Sequence, residues 1–135
     1  MALVFQEVHA APDKKRVNEE WFVLENTGAS AISTAGLQVF VAHGGKRASR
    51  MGAIDPGFML KAGEKILVVS GIPGKKSQGE PPVREGMRTY HLFLREGLLR
   101  GTGTSVRLVF NQVDVVRVTH DPAAPNGVGA AAAPA

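Results

Sequence analysis

Four apolar residues stand side by side at Trp21, Phe22, Val23 and Leu24, inside the stretch Asn18-Glu-Glu-Trp-Phe-Val-Leu-Glu-Asn-Thr-Gly28. A strand with one face in water alternates apolar with polar residues, so an unbroken run predicts a strand covered on both faces. The run stops at Asn26-Thr-Gly28, where Asn and Gly accept the positive φ of a turn. This makes residues 21 to 26 the expected central strand, and the flanking chain reads as strands of the same length. Leu3 to His9 is a first strand, with Val4, Gln6 and Val8 on one face and Leu3, Phe5 and Glu7 on the other. Gly36 to His43 alternates with period two, Glu64 to Ser70 carries a β-branched centre at Ile66 to Val69, and Ser105 to Phe110 with Val113 to Thr119 forms a closing hairpin around Asn111 and Gln112. Met51 to Ile54 adds a short strand before the turn Asp55-Pro-Gly57, and Tyr90 to Arg95 reads as a strand or a helical turn.

No segment carries a convincing helical period. About eight short strands separated by Gly, Pro and Asn turns predict an all-β chain, a two-sheet antiparallel sandwich over residues 1 to 120. Residues 121 to 135, rich in Ala, Pro and Gly, have too little apolar bulk to fold and read as a disordered C-terminal tail. A chain of 135 residues suffices for one such core. With 0 Cys it has no thiolate metal site, cysteine nucleophile or disulfide framework. The N-terminus lacks a basic region ahead of an apolar run, so no signal peptide is expected, and no window has the length of a membrane-spanning helix. The expected location is the cytoplasm.

The order and spacing of these segments resemble the lamin-tail domain family. The resemblance rests on residues 18 to 28, then Gly36-Leu37, then Pro56-Gly-Phe-Met-Leu-Lys-Ala-Gly63 ahead of an Ile/Val strand, and last a Gly/Thr segment before Val106-Arg-Leu and Val113-Asp-Val-Val. It covers roughly residues 3 to 119. It departs at Leu37, where the family often has Trp, and at Asn111-Gln112, where the family's closing turn is often of an Asp/Gly type. The resemblance implies an immunoglobulin-like β-sandwich of a stand-alone, bacterial type, used as an adhesive or scaffolding module and not as an enzyme.

Catalytic signals are weak. His9, His43, His91 and His120 are dispersed without ligand spacing, so no metal site is expected. Glu19 and Glu20 alternate across a strand and read as an exposed pair that cannot share a proton. Glu25 shares a face with Trp21 and Val23, which predicts a structural pairing with an arginine such as Arg107 or Arg117. No serine sits in a G-x-S-x-G elbow. Gly71-Ile-Pro-Gly-Lys-Lys-Ser77 lacks the spacing of a phosphate-binding loop and has no helix after it. No cofactor is expected.

Two surface readings follow. Sandwich edges can take up a neighbouring strand, and residues 113 to 118, with Val113, Val115, Val116 and Val118, form the candidate edge for a protein partner or a second copy, with Asp114 and Arg117 as guards. The alternative is weak, sequence-independent binding of nucleic acid or another polyanion. Its candidates are Lys14, Lys15, Arg16, Lys46, Arg47, Arg50, Lys75 and Lys76, joined by Arg84 and Arg88, on loops that a sandwich gathers at its ends. The balance of 16 Lys+Arg against 12 Asp+Glu is only mildly basic. No base-stacking aromatic is apparent beside these loops. Residues 71 to 89, rich in Gly and Pro, read as a long mobile loop.

Overall fold

A computed structural model describes residues 3–44, 47–54, 57–97, 99, 103–110 and 113–129, with the backbone alone at 113–115. The chain is all-β, with ten strands: β1 (Leu3–His9), β2 (Trp21–Asn26), β3 (Ile32–Ser33), β4 (Gln38–His43), β5 (Ser49–Ala53), β6 (Met59–Leu60), β7 (Lys65–Val69), β8 (Arg88–His91), β9 (Thr104–Phe110) and β10 (Val113–Thr119). Eight of them make two four-stranded sheets, ordered β1-β2-β7-β8 and β10-β9-β4-β5, and β3 with β6 forms a separate ribbon. The only helical pieces among the described residues are single 3-10 turns at Val17–Glu19 and Lys76–Gln78.

β2 lies inside its sheet, between β1 and β7. Its inward residues Phe22 and Leu24 join Phe5, Val39, Ile66, Val68 and Leu108 in the core between the sheets, and the Phe5 and Phe22 rings meet edge to face with centroids 5.2 Å apart. Each such side chain contributes about 1.5–3 kcal/mol by leaving water. On the outer face, Val23, Leu67 and Val69 are fully buried beneath Trp21 and Met87 in a second, smaller cluster. This explains the unbroken apolar runs in both strands.

The cover on that outer face follows from topology. β7 and β8 pair in parallel, the one parallel contact among the described strands, and a parallel pair needs a crossover of a dozen or more residues. Residues 70–87 supply it, and the first part of the segment expected to be a long mobile loop is a strap tied to its neighbours by hydrogen bonds. Gln78 is buried within it, accepting from Ile72 N at 2.7 Å and donating to Leu94 O at 3.0 Å.

β1 departs from simple alternation. The register with β2 shifts between Phe5 and Glu7, and the extra residue, Gln6, moves Val8 onto the same inner face as Leu3 and Phe5, all three buried. Beyond β10 the chain continues in ordered form to Gly129. Residues 121–127 form turns, His120 bridges to Val128, and Val8 N donates to Asn126 O at 2.9 Å. The first nine residues of the segment read as a tail from composition thus lie across the seam between β1 and β10. Residues 130–135 lie outside the described ones.

Candidate functional site

The strand register gathers dispersed residues at one end of the sandwich. In the first sheet, His9 faces Trp21, Trp21 faces Val69 and Val69 faces His91. In the second, His43 faces Thr104, and His120 N donates to Thr104 O at 2.8 Å. All four histidines therefore cap strands at the same end. Three of the rings have separate partners. His9 Nδ1 donates to Glu19 O at 2.8 Å, His91 Nδ1 donates to Gly71 O at 3.1 Å, and His43 Nδ1 lies 3.3 Å from Thr104 Oγ1. Among the described residues no three His, Asp or Glu converge on a metal-sized space.

His9, Trp21 and His120 line a cleft of about 290 Å3 together with residues of the segment 122–127. The His9 ring stacks on Trp21 at 5.0 Å and 8°. Arg84, from the crossover, lies over the same indole at 5.0 Å, while its Nη1 and Nη2 donate to the two Glu7 oxygens at 2.9 Å each. That bidentate bond holds the Glu7 carboxyl below its ordinary value and raises Arg84. His120 is 6% exposed, and its Nδ1 has no hydrogen-bond partner among the described residues. Burial pushes its pKa down, and nearby Asp121 and Glu20 counter this only in part.

Two carboxylates stand differently from their sequence reading. Glu20 is 2% exposed and not part of a solvated pair; its Oε1 accepts Leu99 N at 2.8 Å, anchoring the chain after β8. The reason is its place between the 3-10 turn and β2, where strand geometry already turns residue 20 inward. Glu25 is met by Gln6 Nε2 from the neighbouring strand and not by an arginine; Arg107 lies over the Phe40 ring of the second sheet, at 5.6 Å.

The candidate cations separate into two groups. Lys14, Lys15 and Arg16 precede the first 3-10 turn, Lys75 and Lys76 begin the second, and the two turns touch. Asn18 Nδ2 ties them together by donating to Ile72 O at 2.9 Å and Lys75 O at 3.5 Å. The chain after β8 completes the arrangement: Phe93 N donates to Gly71 O at 3.3 Å, Leu94 N to Ser70 O at 2.8 Å and Gly97 N to Lys14 O at 3.1 Å. These lysines and Arg16 are exposed, and Arg16 pairs with Glu19. Arg47 leaves β4 at the same end but on the other sheet. Arg50 sits within β5, opposite Phe40. Lys46 lies outside the described residues. Arg84 belongs to the Glu7 and Trp21 cluster, and Arg88 packs over Phe58 at 5.8 Å, away from this end.

Of the candidate edge valines, Val118 is 1% exposed and belongs to the core, and Val116 packs against it. Those side chains are therefore committed inward, so what β10 offers outward is backbone. The side chains of Val113 and Val115 lie outside the described ones.

Sequence reading missed Phe93. It is 59% exposed and has a positive φ of 60°, the one such non-glycine among the described residues. An aromatic between Leu92 and Leu94 looks like core, and no local signal announces a left-handed backbone at Phe.

No family model matches the chain, and no curated protein is significantly similar to it. Among the described residues no helix is long and apolar enough to cross a membrane.

Proposed function

We propose that the protein is a non-enzymatic binding module that joins a protein partner or further copies of itself through its sheet edges. The observation that carries this reading is the position of β10 as the outermost strand of its sheet. Its far end is closed where Gly129 N donates to Thr119 O at 2.8 Å, but among the described residues no strand pairs with the outer flank of 113–118, although β1 of the facing sheet packs near β10. The outward flank of an edge strand is a template for strand addition. The bulge between Asp114 and Val116 limits the length of any added strand. The resemblance to lamin-tail domains supports the same use, an adhesive or scaffolding module. The chemistry around Trp21 is also consistent with it, since Glu7, Arg84 and His9 are each engaged with one another or with backbone.

Light scattering across a concentration series tests self-association directly, and growth of the apparent mass with concentration is expected. With 0 native cysteines, single cysteines placed in turn along 113–119 report the geometry. Antiparallel pairing of two β10 strands predicts one maximum of disulfide formation, at the two-fold axis. A strict monomer at high concentration with a flat crosslinking profile refutes self-assembly through this edge.

A further inference from the structure

We propose that the end of the sandwich centred on Phe93 binds single-stranded nucleic acid, by stacking a base on the Phe93 ring while the surrounding lysines hold the phosphates. Three segments meet there: the loop before the first 3-10 turn, the crossover that begins the second, and the chain leaving β8. The last is the bridge, bonded through Phe93 and Leu94 to residues 70–71 and through Gly97 to Lys14. Phe93 thus lies in a chain segment tied at one end to the start of the crossover that carries Lys75 and Lys76 and at the other to Lys14, with Arg95 exposed two residues on.

The ring is more than half exposed, and its backbone is held in the left-handed region, which bulky L residues rarely adopt unless the surrounding structure imposes it. Here the hydrogen bonds of the three flanking amides, Leu92 N to Val69 O at 2.8 Å, Phe93 N to Gly71 O and Leu94 N to Ser70 O, impose it. The consequence is that an apolar ring which the alternation of Leu92 and Leu94 would leave at a strand margin is turned out to solvent, on a segment bonded to the two basic loops. Over residues 13–19, 75–76 and 93–97 there are six cations and three carboxylates. Of the three, Asp13 is occupied by the amides of Lys15 and Arg16 at 2.8 and 3.1 Å, Glu19 pairs with Arg16, and Glu96 is the third.

The combination selects the partner. Exposed lysines alone attract any polyanion through released counterions, whereas an isolated aromatic face among them gains most from a strand whose bases are unstacked. Duplex DNA keeps its bases covered, and a sulfated polysaccharide has none.

Fluorescence anisotropy with a labelled oligothymidylate of about 12 nucleotides tests this on the full chain. If Lys14, Lys15, Lys75 and Lys76 each neutralise a phosphate, affinity falls roughly fifty-fold between about 50 and 200 mM salt. Phe93→Ala weakens binding about ten-fold without changing the salt slope, and Phe93→Trp retains it. Phe93→Gly, whose backbone accepts the left-handed conformation, melts like the parent protein but binds as weakly as Phe93→Ala. The double variant Lys75→Glu and Lys76→Glu lowers both affinity and slope. Absence of binding at low salt overturns the proposal. So does an affinity unchanged in Phe93→Ala, or heparin and duplex DNA bound as tightly as the oligothymidylate, which leaves only a nonspecific polyanion surface. Self-association through β10 is read out separately, so failure of either proposal leaves the other standing.

Discussion

Replacing Gly127 by Ala is the sharpest probe of how residues 120–129 are fixed to the sandwich. Gly127 has a φ of 75°, and a Cβ built there would fall inside the Val8 carbonyl oxygen of β1. Gly63 provides the control, with a φ of 81° and nothing within 4 Å of its Cβ. Gly63→Ala meets only the left-handed penalty, about 1–2 kcal/mol. In Gly127→Ala the segment escapes the clash by leaving β1. It then forfeits the two bonds that tie it to β1, from Val8 N to Asn126 O at 2.9 Å and from Asn126 Nδ2 to Gln6 O at 3.1 Å, and draws the half-buried Val128 off the core. At about 1 kcal/mol for the backbone bond, less for the exposed Asn126 amide, and about 1 kcal/mol for the half-buried Val128, the loss is about 2–3 kcal/mol. Urea denaturation gives the totals for both variants, and amide hydrogen exchange locates the damage. In Gly127→Ala the Val8 amide is expected to exchange as an open site while the amides of β7 keep their protection. If Val8 stays protected and the two variants lose equal stability, the clash is absorbed without undocking and the reasoning fails.

Two further outcomes follow from the titratable groups around the same cleft. Burial lowers the pKa of His120, so the unfolded chain binds the extra proton first as the pH falls. Stability is therefore expected to decline once the pH drops through about 6.5 and to level off below the lowered folded value; His120→Gln should flatten this part of a urea-midpoint series, and an unchanged profile refutes the assignment. Arg84→Ala removes the bidentate bond to Glu7 and the contact on Trp21; because both charged groups are about one-third exposed, the expected loss is only about 1 kcal/mol. Glu7 is held below 4.5, so this contribution is present above that pH and lost as the pH falls beneath it; indole fluorescence that ignores the substitution counts against Arg84 lying over Trp21.

The legible parts of this protein are those where one residue type decides one local geometry. The apolar quartet at Trp21, the β-branched run at Ile66 and the Asn26-Thr-Gly28 turn are of this kind. Asn26 shows why: its Nδ2 donates to Ser30 O at 2.8 Å and Leu60 O at 2.9 Å while its Oδ1 accepts Gly28 N at 2.9 Å, so the turn is organised by its own side chain. Period-two alternation likewise places Val39 and Val41 inward without reference to any distant residue.

Sequence by itself therefore determined the fold class, the central place of residues 21–26, the closing hairpin and the groups of basic residues, because strand period and turn chemistry act over a few neighbours. Tertiary structure alone decided the rest. The bulge at Gln6, the parallel pairing that makes residues 70–87 a crossover, the burial of Glu20 and His120 and the outward ring of Phe93 all depend on hydrogen bonds between segments tens of residues apart. A backbone amide carries no residue identity, so which distant carbonyl it finds is set by the packed sheets and not by the letters on either side of it.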